Sequence, residues 1–283
     1  MEIPGFGEIS ERLRRSTVQI RNSRQARGIG SGVIFSAGGS ILTNAHVATG
    51  DHARVELWDG RELPARVTSR DPRRDLAFLQ VSAPDLPVAT FGDSSRLRVG
   101  ELVIAIGNPL GFAGALTTGV VHAVGPLPGL GRRKWVQANV RLAPGNSGGP
   151  LADAEGQVVG INTMIAGGLA LAVPSNTVAE FHQKGPRTAR LGVVLRPVPV
   201  RFEGQDRLGL MLLEVLPNSP AAACSLLPGD ILMGSESRWF AGPEDLADWL
   251  DEAGAAIRLM FLRGDRTRLR ETTAALARAA EAA

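Results

Sequence analysis

The sequence predicts a mostly β protein with a smaller α+β unit towards its carboxyl end. Short β-branched runs separated by glycine and proline fill most of the first 175 residues, and many short strands with such turns are typical of a barrel or sandwich. The pair Asp59-Gly60 separates two alternating segments, which indicates a hairpin. No regular alternation of strands and helices is present, so a parallel α/β sheet is not expected.

The composition is that of a folded globular protein. The chain has 283 residues, of which 44% are hydrophobic and 21% charged, with a net charge of +3. These values exclude a disordered or collagen-like chain, and the length suits one large or two ordinary domains. Lysine occurs only at Lys134 and Lys184, and no long basic block is present. A nucleic-acid partner is therefore not expected.

Cysteine content and hydropathy bear on the compartment. Cys224 is the single cysteine, so no intrachain disulfide can form. No apolar run reaches the roughly 18 residues that a membrane-spanning helix needs. The first residues, MEIPGFGEISERLRR, lack the apolar stretch of a signal peptide. We expect the chain as written to be cytoplasmic, unless a leader has been removed.

Helix signals flank the strand-rich region, and a linker follows it. A helix is predicted over 8–15, starting at Glu8 or Ser10, and another over 175–184 with Ser175 as its N-cap. The segment KGPRTAR, residues 184–190, combines glycine, proline and charge, which predicts a linker.

A second unit is predicted over roughly 189–273. LGLMLLEVLPNSPAAACSLLPGDIL indicates a strand, a turn, a short helical piece and a further turn. GPEDLADWLDEAG predicts an amphipathic helix with Leu246, Trp249 and Leu250 on one face and Pro243 in its first turn. A hairpin is expected around Gly264-Asp265, before a helical or frayed tail.

Three polar residues in the strand-rich region form a candidate catalytic set. His46 lies in ILTNAHV, Asp75 in DPRRDLAFLQV and Ser147 in PGNSGGP. Taken singly, they also suit a structural histidine, a capping aspartate and a polar turn residue. Taken together, their order is that of chymotrypsin-type enzymes, in which an acid orients a histidine that deprotonates the serine.

The residues around the serine suit an oxyanion hole. Such a site needs backbone N–H groups at a tight loop that side chains do not block. The prediction places these donors at Gly145 and Ser147, with Asn146 between them, while Gly148 and Gly149 let the chain turn away. The four histidines have no metal-type spacing, and no helix follows the glycines at 28–32 as a nucleotide-binding fingerprint requires. No metal or other cofactor is predicted.

At these residues the chain resembles the HtrA/Deg family, whose members have a trypsin-fold serine protease domain followed by a PDZ domain. The matching segments, in order, are GSGVIFSAGGSILTNAHV, DPRRDLAFLQV, FGDSSRLRVGELVIAIGNPLG, TTGVVHAVG, PGNSGGPLADAEGQVVGINT, LAVPSN and NSPAAACSLLPGDIL. The resemblance implies a chymotrypsin-like double six-stranded β-barrel over 1–184, a linker over 185–188, a small α+β PDZ domain over 189–275 and a tail over 276–283.

The resemblance also implies roles for residues of the protease domain. His46 is then the general base, Asp75 its orienting partner and Ser147 the nucleophile. Thr163 stands where a hydroxyl often lies behind the aspartate, and Met164 and Ile165 would lie along the substrate backbone.

Arg141, six residues before the serine, matches the base of the primary specificity pocket, where the family usually has a small residue. Inside the pocket it would favour an acidic side chain or fill the space. Alternatively it turns to solvent or to a carboxylate, which leaves Leu142 to line an aliphatic pocket.

In the implied PDZ domain, RLGVV stands at the carboxylate-binding loop. Leu191, Gly192 and Val193 would donate amides to a peptide carboxyl terminus, and the peptide would add as a strand to the sheet. Leu246 and Leu250 would line the side-chain pocket, or else belong to the core.

The implied function is an endopeptidase of protein quality control that cleaves unfolded or damaged proteins under stress. Two alternatives remain: a chaperone-like binding module that rarely cleaves, and a protease that is latent until a peptide or oligomer contact orders the oxyanion loop. The family is mostly extracytoplasmic, in the periplasm or cell envelope, and trimers are common, with Phe6 either at that interface or on a free arm.

Some segments depart from the family pattern. ANVRLA, residues 138–143, replaces the usual Thr-Asp-Ala-Ala-Ile-Asn, and the loop after Ile165 is short. Regulation is therefore not transferred from the family. The basic stretch 132–134 lies in the region of a sensor loop, but a solvated loop is the simpler interpretation.

Overall fold

The computed structural model describes residues 6–22, 29–108, 114–127, 130, 133–185 and 190–276. The chain divides into two compact units, here called unit 1 (1–127 and 133–186) and unit 2 (128–132 and 187–283). Most of the predicted linker and all but the first residue of the predicted tail lie outside the described residues.

The first half of unit 1 is a closed six-stranded barrel with the strand order β1-β2-β3-β6-β5-β4. Its strands are β1 (Thr17–Asn22), β2 (Ile29–Ile34), β3 (Ser40–Thr43), β4 (His52–Glu56), β5 (Glu62–Asp71) and β6 (Leu76–Gln80). The predicted hairpin at Asp59-Gly60 joins β4 to β5, and Gly60 has the positive φ, 84°, that such a turn requires.

The second half of unit 1 is another closed six-stranded barrel, with the order β10-β11-β12-β9-β8-β7. Its strands are β7 (Leu102–Gly107), β8 (Ala115–Pro126), β9 (Lys134–Ala138), β10 (Pro150–Asp153), β11 (Val158–Ala166) and β12 (Leu169–Pro174). Two such barrels in one unit are the architecture that the resemblance implied.

Unit 1 has three apolar clusters, one inside each barrel and a third between them. The third cluster joins side chains of both barrels, such as Leu42 and Phe78 from the first and Ile106 and Ile161 from the second. Because the facing strand ends meet over this shared cluster, residues from both barrels lie close together there.

Two helices of unit 1 cover the shared cluster. The helices α1 (Phe6–Ser16) and α2 (Ser175–Lys184) agree with the two predicted ones, and Leu13 and Phe181 are buried in the cluster. The predicted N-cap of α2 was wrong by one residue: Pro174 is the cap and Ser175 is the first helical residue. The Ser175 hydroxyl instead donates to Gly92 O at 2.7 Å.

Unit 2 is a six-stranded antiparallel sheet with two helices. The order is β13-β14-β15-β17-β18, with β16 paired to β15. Its elements are β13 (Val193–Phe202), β14 (Gln205–Val215), α3 (Pro220–Ala223), β15 (Ile231–Ser235), β16 (Arg238–Trp239), α4 (Asp245–Glu252), β17 (Ala256–Arg263) and β18 (Asp265–Ala275). Pro243 precedes the α4 cap residue, Glu244, so its predicted place in the first turn was wrong.

Candidate active site

His46 and Asp75 are brought together by neighbouring strands of the first barrel. His46 follows β3 and Asp75 immediately precedes β6, and the two strands pair with Thr43 opposite Ala77. His46 Nδ1 lies 2.8 Å from Asp75 Oδ2 and 2.9 Å from Oδ1. The carboxylate thus orients the ring, and in the described part of the chain Nε2 has no hydrogen-bond partner.

Asp75 is held by three further contacts besides the imidazole. The His46 backbone N–H donates to Oδ1 at 3.1 Å, and the Thr163 hydroxyl donates to Oδ2. The Asn44 side-chain amide donates to the Asp75 backbone carbonyl at 2.8 Å. Thr163 is therefore in contact with the aspartate, and Asn44 is a supporting residue that the sequence analysis did not identify.

The turn before Asp75 has its own buried ion pair. Asp71 Oδ1 accepts the backbone N–H groups of Arg73 and Arg74 at 2.9 and 3.0 Å, and Arg74 Nη1 lies 3.1 Å from Asp71 Oδ2. Arg74 Nη1 also donates to Gly185 O, at the end of α2, at 3.3 Å. This network holds a turn in which Asp75 has φ 55°, a conformation that an ordinary residue rarely adopts.

Ser147 comes from the second barrel, on the loop that precedes β10. Its hydroxyl donates to Thr163 O at 3.0 Å, and the described residues include no hydrogen bond between Ser147 and His46. The structure therefore places the serine beside the histidine–aspartate pair with its hydroxyl directed at the neighbouring strand.

The loop around Ser147 offers two backbone amides. Neither the Gly145 N–H nor the Ser147 N–H has an acceptor among the described residues, whereas the Asn146 N–H donates to Ala143 O at 3.0 Å. Asn146 thus shapes the loop between the two free amides, which is the position that the sequence analysis gave it in the oxyanion set. Position 148 requires glycine for two reasons: its φ is 87°, and an added Cβ would lie 2.0 Å from Ser31 O.

Ser31 on β2 connects this loop to the first barrel. Its backbone N–H donates to Ser147 O at 2.8 Å, and its hydroxyl donates to Gly145 O at 2.7 Å. The Asn108 backbone N–H donates to the same hydroxyl at 2.9 Å. Sequence reasoning missed Ser31; its position between two glycines, Gly30 and Gly32, was the available signal.

The predicted pocket residues lie in different environments. Arg141 is exposed, and its backbone N–H donates to Thr117 Oγ1 at 3.3 Å. Leu142 is half-buried against the core of the second barrel. Met164 and Ile165 are 37% and 58% exposed on β11. The arrangement favours the alternative in which Arg141 turns to solvent.

The predicted peptide-binding residues of unit 2 divide into a loop and a core group. Leu191, Gly192 and Val193 lie at the start of β13, where Gly192 has φ 77°. Leu246 and Leu250 on α4 are only 3% exposed and pack in the main apolar cluster of unit 2. The structure therefore places these two leucines in the core.

Comparison with known proteins identifies the class. The trypsin-like peptidase domain family matches residues 30–161, which contain the strands and loops that carry His46, Asp75 and Ser147. Together with the two six-stranded barrels, this match makes unit 1 a trypsin-like serine peptidase domain, and the predicted protease fold is confirmed.

The comparisons also identify the family. A solved structure named "HtrA-type protease AlgW with tripeptide" is 30% identical, with a TM-score of 0.71, over 96% of this chain and 97% of that one. The serine endoprotease from Yersinia pestis is 28% identical, with a TM-score of 0.71, over 97% and 98%. This chain belongs to the HtrA-type serine proteases.

A curated relative agrees with this assignment. The "Probable periplasmic serine endoprotease DegP-like" of Pseudomonas putida (strain W619) is 38% identical over 89% of this chain and 57% of its own length. The chain thus spans about half the length of the curated relatives it matches. Among the described residues, no helix is long and apolar enough to cross a membrane.

Proposed function

We propose that this protein is a serine endopeptidase that hydrolyses unfolded or damaged proteins with His46, Asp75 and Ser147. The observation that carries the proposal is the pair of bonds from His46 Nδ1 to both oxygens of Asp75, with Ser147 placed next to Thr163 of the same network. A histidine held in this way presents Nε2 as a base, which a serine hydroxyl needs to become nucleophilic.

In the proposed reaction the Ser147 hydroxyl first leaves Thr163 O and turns to His46. His46 Nε2 takes the hydroxyl proton while Oγ forms a bond to the substrate carbonyl carbon. The carbonyl oxygen becomes an anion, which accepts hydrogen bonds from the Gly145 and Ser147 amides. Collapse of this intermediate breaks the C–N bond as His46 protonates the leaving amine.

The second half of the proposed reaction regenerates the enzyme. Water replaces the amine, His46 removes its proton, and the resulting hydroxide equivalent attacks the acyl carbon. Breakdown of the second intermediate releases the carboxyl product, and Ser147 Oγ recovers the proton from His46. Asp75 keeps its charge throughout and stabilises the imidazolium that forms in each half.

A latent form of the same enzyme is supported by the orientation of Ser147. Because its hydroxyl donates to Thr163 O, a bound substrate or an activating contact that displaces this bond would turn on the proton transfer to His46. The chaperone-like alternative has no such specific support, because two amides of the serine loop remain available for an oxyanion.

We further propose that unit 2, over about 189–275, is a PDZ domain that binds peptide carboxyl termini. Leu191 O accepts the Ala221 N–H and Gly192 O accepts the Leu216 N–H, both at 2.9 Å, while the Leu191 and Gly192 N–H groups have no acceptor among the described residues. Consecutive free amides suit a carboxylate. An added Cβ at Gly192 would lie 2.2 Å from Ser219 Cβ, so this loop requires glycine.

The compartment and the oligomer also remain proposals. Relatives are named periplasmic, and we propose a periplasmic or cell-envelope location. We propose a homotrimer, for which the exposed Phe6 at the start of α1 is a candidate contact. Light scattering of the purified chain and of Phe6→Ser tests this role, and a trimer unaffected by the substitution would remove Phe6 from the interface.

The proteolytic function is tested with unfolded casein. The wild type should cleave it, and Ser147→Ala should lower the rate by at least about 10³-fold. Ser82→Ala, at an exposed serine away from the site, is the matched control and should retain activity. If casein stays intact with the wild type, peptides with free carboxyl termini are added to test the latent form; no cleavage with or without them contradicts the proposal.

The PDZ assignment is tested separately by peptide binding. Amidation of the carboxyl terminus should abolish binding because it removes the carboxylate. Gly192→Ala should also abolish it, because a Cβ at this positive-φ position would meet Ser219 and displace the loop amides. Unchanged affinity after amidation would contradict the carboxylate loop while leaving the proteolytic function untouched.

A further inference from the structure

Strand β13 is the edge of the unit 2 sheet and carries two prolines. In the described part of the chain it pairs with β14 alone, so its other side is open. Pro197 and Pro199 lie in the middle of this strand, and both are exposed. A proline has no N–H to donate, so the side to which these residues turn decides what the open edge can bind.

The register of β13 with β14 shows which residues face the open edge. Leu195 is opposite Leu212. The Leu212 N–H donates to Asp230 O, and Leu212 O accepts the Gly229 N–H, both at 2.8 Å and away from β13. Leu195 and Leu212 therefore form a pair without mutual hydrogen bonds, and the Leu195 N–H and C=O point to the open edge.

Pro197 and Pro199 share the phase of Leu195, because they lie two and four residues further along the strand. The hairpin that closes β13 and β14 supports this phase. Glu203 and Gly204 form a two-residue loop with positive φ angles of 50° and 75°, and such a loop is closed by a hydrogen-bonded pair, here Phe202 and Gln205. Even-numbered residues thus bond to β14 and odd-numbered ones face outwards.

The open edge is consequently divided into two parts. At its start, beside the free amides of Leu191 and Gly192, Val193 and Leu195 supply both N–H and C=O groups. From Pro197 onwards the next two outward positions supply only a carbonyl, and each pyrrolidine ring occupies the place of the missing hydrogen. A strand that approached to the usual spacing of about 4.8 Å would meet those rings.

We propose that unit 2 pairs through its main chain with only about three carboxyl-terminal residues of a peptide, because Pro197 and Pro199 end the open edge after Leu195. This inference rests on the proposed peptide-binding function. The partner it describes is a protein whose free carboxyl terminus projects for a few residues. In a longer extended peptide, the backbone upstream of these residues adds no affinity.

Proline on an edge strand commonly protects that edge against pairing with a second copy of the sheet, and Pro197 and Pro199 suit this role as well. If protection of the edge were their only role, replacing the prolines would not change the dependence of affinity on peptide length. The two roles are therefore separated by measuring peptide length dependence and self-association on the same samples.

The experiment uses the full chain with Ser147→Ala, so that peptides are not cleaved. A library of random decapeptides with free carboxyl termini is selected for binding, and the selected peptide is shortened from its amino end and measured by fluorescence anisotropy. Affinity should stay within about twofold down to four residues. Backbone N-methylation should weaken binding about five- to tenfold at a residue that pairs with β13 within the last three residues, as expected for one lost ladder hydrogen bond, and less than twofold further upstream.

Two threonine substitutions provide the complementary test. In Pro197→Thr with Pro199→Thr, the decapeptide should bind about tenfold more tightly than the tetrapeptide, and upstream N-methylation should become unfavourable. Pro228→Thr, at an exposed proline elsewhere in unit 2, is the control and should bind as the parent does. If the double variant associates or fails to fold, the N-methylation series on the parent protein still decides the question.

Different results would overturn different statements. A parent protein that binds the decapeptide more than tenfold better than the tetrapeptide, or a folded double variant with unchanged length dependence, contradicts the limit set by the prolines. Selection of no peptide, or affinity that survives amidation, contradicts the peptide-binding function itself and removes the basis of this inference.

Discussion

At the scale of single residues, the site depends on backbone conformations that few residues adopt. Asp75 has φ 55°, Gly145 has φ 107° and Gly148 has φ 87°. Glycine accepts such angles freely, whereas aspartate adopts them only when its surroundings compensate. Asn44 on the Asp75 carbonyl and Ser31 on the serine loop provide hydrogen bonds at these points.

Arg141 gives a prediction about cleavage specificity. Its side chain is exposed, and a cation that selected acidic substrates would need to lie inside a pocket, where water does not screen it. Arg141→Ala should therefore leave the preference of the enzyme in a peptide library unchanged, with kcat/KM values within about twofold.

The matched substitution is Leu142→Ala at the half-buried neighbour. It should alter the relative cleavage of aliphatic side chains if Leu142 lines the pocket. A preference for acidic residues in the parent that disappears in Arg141→Ala would contradict the outward placement of Arg141.

At the scale of elements, the turn between β5 and β6 determines where Asp75 lies. Asp71 and Arg74 form an ion pair whose side chains are 0% and 6% exposed, and the arginine also binds the carbonyl at the end of α2. A buried carboxylate is costly without its cation, so the pair favours this turn over other arrangements of the same residues.

Arg74→Met is predicted to destabilise unit 1, by up to about 3–5 kcal/mol, because it removes the Arg74 guanidinium from the buried Asp71 carboxylate. The turn that holds Asp75 should loosen, and kcat should fall more than KM changes. Denaturant unfolding and casein cleavage measure the two effects.

Arg66→Met, at an exposed position of β5, is the control and should cost clearly less. Equal effects of the two substitutions on stability and kcat would show that the Arg74 ion pair has no special role.

The junction between the 3-10 helix at Ser94–Arg96 and α2 predicts a pH dependence. Hydrogen bonds from the Ser95 hydroxyl and the Asn176 amide, at 2.6 and 2.8 Å, hold the pKa of Asp93 below its ordinary value. A carboxyl group whose folded pKa is depressed contributes stability above its unfolded pKa of about 3.9, and this contribution is lost as the pH falls through the folded pKa.

Asp93→Asn should therefore unfold more easily than the wild type at pH 7, with a difference that shrinks below about pH 4. Urea unfolding at several pH values measures it, and Asp206→Asn at an exposed position of unit 2 is the control. A difference in unfolding free energy that stays constant with pH would contradict the role of Asp93.

At the scale of the whole molecule, each unit has its own apolar clusters. Unit 1 has one in each barrel and one between them, and unit 2 has one on each face of its sheet. Trp249 is central to the larger cluster of unit 2: it is 2% exposed and stacks on Phe240 with ring centroids 4.9 Å apart.

Trp249→Ala is predicted to destabilise unit 2 by about 3–5 kcal/mol, the usual cost of removing a large buried aromatic side chain. Hydrogen exchange of β13 to β18 measures the loss of protection. Trp239→Ala, at a half-buried position, is the control and should cost less; equal losses would contradict the central place of Trp249.

Much of the architecture was predictable because it depends on local patterns. Alternating apolar residues and glycine turns predicted the strands, and the helices α1 and α2 appeared close to their expected limits. The N-cap of α2 was misplaced because Ser175 makes its hydrogen bond to Gly92, 83 residues away in sequence. The preference of serine for N-cap positions carries no information about a hydrogen-bond partner so far away in the sequence.

The sequence by itself determined the two-part organisation, the strand-rich first unit and the order of His46, Asp75 and Ser147, since each is a property of residue type and spacing along the chain. The tertiary structure alone decided that Ser31 holds the serine loop, that Arg141 faces solvent and that Pro197 and Pro199 turn to the open edge of β13. These features depend on contacts and register between distant segments; the Ser31–Gly145 bond, for example, joins residues 114 apart. No local sequence pattern specifies which distant segments come into contact.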